Sequence, residues 1–286
     1  MQSISNQVYI EEQYPGVTLG AVALSHGLVM VDAPPSPEDC RSWRAALLGL
    51  NSGVERLLIN LDGHPDRTLG ARAMDCTIVA HEKTAQAFRN RPNTFKAQGD
   101  ETGSDWESVV GLGSIRWAPP EITFTAQMAI EWSNFPVILE HRPGPTGGAC
   151  WVILPEPKIV FVGDLVVKNQ PPFLSSANLP VWLESLEHLM AEHKNYTIVS
   201  GRSGVIPFGA VQAQWDQINA LHEKLEALAQ KQAGPDALEG LIQSLMATVK
   251  APAEKQKQYV QRLAYGLRHY FTRHYRPSGS SELEEE

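Results

Sequence analysis

Cysteine is scarce in this sequence. Cys40, Cys76 and Cys150 are the full complement in 286 residues, and none stands in a CxxC or C-x-H spacing. So small and odd a number excludes a disulfide framework; reduced thiols in a cytoplasmic protein are expected. A surplus of positive charge is missing too. With 24 Lys and Arg against 32 Asp and Glu the net charge is −8, the wrong sign for tracking phosphates, so no nucleic acid is expected as a partner. No apolar run approaches the ~20 residues of a bilayer span. The opening MQSISNQVYIEEQYPG also lacks the apolar segment of a signal peptide.

What is present is a core. Hydrophobic residues make up 43% of the chain, enough for one large α/β domain or a domain with an appendage. Residues 17–24 and 27–31 are apolar runs parted by Ser25-His26 and predict a hairpin. In SPEDCRSWRAALLGL, Ser36 precedes Pro37 and Glu38, the order of a helix start. Strands follow at 57–61 and 76–80, with helices expected from about Thr68 and from His81, which suits a capping or core role. Residues 89–113, polar and rich in Gly, Asn and Asp, predict a loop with little regular structure. Short strands at 122–125, 128–132, 136–140, 150–154 and 159–162 predict a second, largely antiparallel sheet. An amphipathic helix at 181–192 and a strand at 196–199 precede SGRSG. Beyond about Val211 the pattern is helical, broken at Gly234-Pro235 and Ala251-Pro252. The acidic tail, 277–286, is expected to be disordered.

Polar residues gather at four strand ends: Asp62-Gly63-His64-Pro65-Asp66-Arg67, HRPGPTGG at 141–148, Gly163-Asp164, and Gly201-Arg202-Ser203-Gly204. Strand ends are where α/β folds build sites, because a rigid scaffold there meets open loops. This set, with VDAPPS at 31–36 and TIVAHE at 77–82, resembles the metallo-β-lactamase superfamily over about residues 17–207. The resemblance implies an α/β fold, an αββα sandwich at 1–210 with a helical C-terminal extension at 211–276.

The family's first motif reads His-x-His-x-Asp-His. Its other metal ligands are a His in a Pro-Gly-His-Thr turn, a bridging Asp in a Gly-Asp turn, and a His in a Gly-His-Gly turn. In this sequence Asp62 stands at the first His position, while His64, Asp66 and Asp164 match. Arg67, Pro145 and Arg202 replace the other three histidines. Arginine stays protonated and only donates, so it repels a cation. Arg67 and Arg202 are therefore expected to pair with Asp66 and Asp164 in place of a second metal. The resemblance leaves one possible ion, Zn²⁺, Mn²⁺ or Fe²⁺, held by Asp62, His64 and Asp164; the favoured expectation is no cofactor. Without a metal, Arg67 and Arg202, joined by His141, would line a cleft for an anionic small molecule. The function expected is then non-hydrolytic binding or scaffolding. The alternative is a single-metal hydrolase of an ester, lactone or amide with Asp66 as general base.

In QYVQRLAYGLRHYFTRHYR, Val260, Leu263, Leu267, Tyr270 and Phe271 form one apolar stripe, with Arg262, Arg268, Arg273 and Arg276 on other faces. This predicts a helix packed on its own domain, or on a second copy as a homodimer, with a solvated basic face. Lying on a membrane surface or binding an acidic partner are the alternatives.

Overall fold

The computed structural model describes residues 1–96, 101–232 and 235–275; the predicted acidic tail lies outside them. The chain opens as an antiparallel meander of β1 (Gln2–Ser5), β2 (Val8–Glu11), β3 (Leu19–Ala23) and β4 (Gly27–Val31). Helix α1 (Pro37–Leu47) starts where expected: the Ser36 side chain accepts from the Asp39 N–H and Pro37 occupies the first turn. Strand β5 (Glu55–Ile59) then pairs parallel with β4. After the single turn α2 (Pro65–Thr68), β6 (Thr77–His81) pairs parallel with β5 and leads into α3 (Glu82–Asn90). His81 caps α3, its Nδ1 accepting from the Lys83 N–H.

The described parts of segment 89–113 are more regular than its composition predicts. Strand β7 (Thr94–Lys96) pairs with β8 (Ser114–Arg116), and a 3-10 turn spans Asp105–Ser108. Strand β9 (Ile122–Phe124) is a correction. It was expected in the second sheet, yet it pairs parallel with β6 at the edge of the first. The second sheet holds β10 (Gln127–Ile130), β11 (Val137–His141), β12 (Cys150–Leu154) and β13 (Ile159–Phe161), all antiparallel. Helix α4 (Leu179–Glu192) crosses to β14 (Thr197–Ser200), parallel to β13, and β15 (Gly204–Ile206) turns back beside it. Helices α5 (Phe208–Gln230), α6 (Glu239–Thr248) and α7 (Gln256–Tyr275) complete the chain.

Period-2 alternation explains the layering. In β4, Val29 and Val31 join Leu57, Ile59 and Val79 in one apolar cluster with Leu139, Val152, Leu154 and Phe161 of the second sheet. Leu28 and Met30 face the other way, onto Trp43 and Leu47 of α1. On the outer face of the second sheet, Trp151, Ile153, Val160 and Ile198 pack with Trp182 and Leu186 of α4. The result is an α/β/β/α sandwich. The same outer cluster takes in Ile218, Leu221 and Leu225 of α5, Leu241 and Ile242 of α6, and Leu263, Leu267, Tyr270 and Phe271 of α7. Four members of the α7 stripe, Leu263, Leu267, Tyr270 and Phe271, are thus buried within the chain, while Val260 is exposed. No helix among the described residues is long and apolar enough to cross a membrane.

Candidate functional site

The strand ends at one edge of the sandwich converge on a buried charge network. Asp32 follows β4 in a left-handed conformation (φ 58°), which a short polar side chain tolerates. Its Oδ1 accepts from the Leu61 N–H at 2.9 Å and its Oδ2 from Arg67 Nη1 at 3.0 Å. Asp62, just past β5, accepts from the His64 N–H at 2.8 Å. His64 caps α2: its Nδ1 accepts from the Asp66 N–H at 3.2 Å, leaving the ring proton on Nε2. Asp66 in turn accepts from the Trp106 N–H at 2.7 Å.

Arg67 has a fully enclosed side chain that touches three carboxylates. Besides Asp32, its Nη2 donates to Asp164. Its Nε lies 3.2 Å from Asp62 Oδ1, an ion-pair distance without hydrogen-bond geometry. Arg202, from the turn between β14 and β15, is equally occupied. Nε donates to Asp164 at 2.9 Å, and Nη1 to Asp66 at 2.5 Å and the Gly16 carbonyl at 2.9 Å. Its Nη2 lies 3.1 Å from His64 Nδ1. The expected anion cleft at these two arginines is therefore corrected. They face inward, and their donors are engaged by the protein's own carboxylates, carbonyl and imidazole.

His141 does not join them either. It stacks on His81 with ring centroids 3.6 Å apart, and its Nε2 meets the Gly147 carbonyl at 3.0 Å. Arg262, expected on a solvated face of α7, is buried. Its Nη2 donates to Asp105 at 3.0 Å and its Nε to the Gly103 carbonyl at 2.9 Å. Lys255 reaches the other Asp105 oxygen at 2.9 Å, and Phe173 lies between Arg202 and Arg262 at 4.2 and 4.0 Å from their guanidinium carbons.

Burial decides most protonation states here. It pushes Asp32 up to about 7 against the opposing pull of Arg67, and it also raises Asp62 and Asp66. Burial would raise Asp164 as well, yet Arg202 and Arg67 outweigh it and hold that carboxyl below its ordinary range. His64 is held neutral by burial and by Arg202. Five carboxylates (Asp32, Asp62, Asp66, Asp105, Asp164) thus face four cations (Arg67, Arg202, Lys255, Arg262). The carboxylates exceed the cations by one, and the raised Asp32, Asp62 and Asp66 are the groups on which burial favours a proton.

A cleft of about 710 Å³ opens beside it, lined by His64, Pro65, Phe173 and Arg262 on the network side. Lys83 and Arg91 of the α3 segment, Trp106, Trp117 and Thr146 form other parts of its wall.

The sequence profile of the metallo-beta-lactamase superfamily matches residues 63–237, well over half the chain. The chain belongs to the metallo-β-lactamase superfamily. Solved metallo-β-lactamases share its fold. The enzyme from Pontibacter korlensis superposes with a TM-score of 0.61 at 16% identity, covering 76% of this chain and 97% of its own. DIM-1 metallo-β-lactamase gives 0.59 at 13% identity over 77% and 96%. The enzyme from Erythrobacter litoralis, with β-mercaptoethanol in its active site, gives 0.57 at 15% over 77% and 95%. No curated protein matches the sequence.

In this superfamily member the positions that resemble metal ligands do not form a donor set for a metal. Asp62 and Asp164 face guanidinium groups, and His64 Nδ1 is taken by the Asp66 N–H and Arg202. Among the described residues no three His, Cys, Asp or Glu side chains are grouped to hold an ion. A divalent cation placed there would meet two fixed positive charges.

Sequence reasoning missed Asp32, Asp105, Lys255, Arg262 and Phe173. Arg262 carried a signal. Tyr259, Arg262, Leu263 and Gly266 fall at i, i+3, i+4 and i+7, the spacing of a single helix face, and all four are buried.

Proposed function

We propose that this chain is a metal-independent, non-hydrolytic member of its superfamily, a binding protein whose cleft sits over ion pairs instead of a metal centre. One observation carries the reading: Arg67 and Arg202 occupy the space between Asp32, Asp62, Asp66 and Asp164 and engage all four. Metal-assisted hydrolysis needs an open coordination position where water can ionise. Asp66, the general base of the alternative reading, is instead tied to Arg202 and to the Trp106 N–H. A cleft of this volume lies within the ~300–1,000 Å³ range of small-ligand sites.

Metal analysis of protein purified without chelator tests this. The expected result is metal far below one equivalent, with no rise in melting temperature on adding Zn²⁺, Mn²⁺ or Fe²⁺ and no turnover of ester, lactone or amide. Near-stoichiometric metal that disappears in Asp62→Ala or His64→Ala would overturn the reading and restore the single-metal hydrolase.

A further inference from the structure

The cleft holds one guanidinium unlike the three in the network. Arg91 follows α3, and its Nη1 donates to the Gly63 carbonyl at 2.9 Å. Its guanidinium carbon lies 5.0 Å from the Trp117 ring centroid and 5.3 Å from that of Phe88. Arg67, Arg202 and Arg262 each contact at least one carboxylate, whereas no carboxylate among the described residues forms an ion pair with Arg91. Burial among these rings costs the Arg91 guanidinium hydration, and only the more distant Asp62 carboxylate opposes that cost. An anion arriving beside it therefore restores what burial removed. Trp106 and Trp117 supply flat apolar wall; Lys83 and Arg262 add positive charge to the lining, and Glu101 and Glu107 add negative charge. Thr146 Oγ1, also on the wall, is buried with no hydrogen-bond partner.

We propose that this cleft binds a small organic anion with an aromatic body, its carboxylate paired with the Nε and Nη2 of Arg91 and its ring against Trp117 and Trp106. A guanidinium offers two parallel N–H groups that match the two oxygens of a carboxylate. Aromatic walls admit a flat ring and favour its edge or face over a flexible chain. The inference rests on the binding reading above and names the ligand class for that cleft.

Calorimetric titration with 2-naphthoate, its uncharged isostere 2-naphthamide, and acetate tests it. 2-Naphthoate should bind at least about tenfold more tightly than 2-naphthamide, the scale of one charge-assisted pair. Acetate, lacking the ring, should give no measurable binding at the same concentrations. Arg91→Gln should abolish the preference for the anion, and Arg91→Lys, which keeps the charge and loses the fork, should retain part of it. Thermal melts of both variants report whether they fold; if Arg91→Gln does not, Arg91→Lys still carries the comparison. Equal affinity for the two naphthyl probes, an unchanged preference in the Arg91 variants, or no binding of 2-naphthoate would each overturn the proposal. None of these outcomes bears on metal content, so the metal-independent reading stands or falls separately.

Discussion

Asp32 is the residue on which the pH behaviour of the fold turns. It is completely buried, and burial lifts its carboxyl to about 7 despite Arg67. An unfolded Asp titrates near ~3.9. Between these values the folded chain keeps a proton that the unfolded chain has released, so stability falls as pH rises through that window and levels off above it. Asp164 works in the opposite sense. Its depressed folded value contributes stability above the ordinary carboxylate range, and that contribution is lost as pH falls below about 4. Urea denaturation should therefore find the wild type less stable at pH 7.5 than at pH 5, by about 2–3 kcal/mol. Asp32→Asn should flatten that slope, the raised Asp62 and Asp66 carrying what remains. Arg67, Arg202, Asp66 and Asp164 could be singled out in the sequence because each sits in a short motif at a strand end. Asp105 could not, and Asp32, though inside the VDAPPS turn, gave no sign of its partner. Their partners lie 35 and 157 residues away, at Arg67 and Arg262, and nothing local encodes such pairing.

At the scale of elements, α7 holds the site's outer wall in place. Arg262 and Lys255 together grip Asp105, while Arg262 and Gln258 both donate to the Gly103 carbonyl. Removing one partner of a buried pair strands the other, at a typical cost of ~3–5 kcal/mol. Arg262→Gln is thus expected to destabilise the chain by about 3 kcal/mol. It should also speed amide exchange in segment 103–108 more than in β4 or β5, as read by hydrogen-exchange mass spectrometry. Elements with strong periodicity, such as α1, α4 and β12, were legible in the sequence because local pattern and burial agree there. β1 and β2 escaped notice because polar side chains interrupt their apolar ones. β9 was placed in the wrong sheet because its partner β6 is about 40 residues distant, and strand preference reports burial rather than neighbours.

The whole molecule depends on two sheets meeting closely enough to share one interior. Gly20 of β3 is a point of contact: a β-carbon there would lie 2.6 Å from the Phe161 ring of β13. Gly20→Ala should therefore cost about 1–3 kcal/mol by overpacking, seen as a lowered urea midpoint with an unchanged slope. The resemblance of ordered strand-end motifs made the sandwich readable before any coordinates. How the last three helices fuse with the second sheet was not readable, since it depends on side chains as distant along the chain as Trp151 and Phe271 meeting in one cluster.

The grip of α7 on Asp105 also orders events during biosynthesis. Asp105 and Arg202 emerge from the ribosome well before Lys255 and Arg262. Until then a nascent chain can pair its sheets, but it holds Asp105 without two of its three cationic partners. Charge closure around Asp105 therefore waits until the α7 segment has been synthesised.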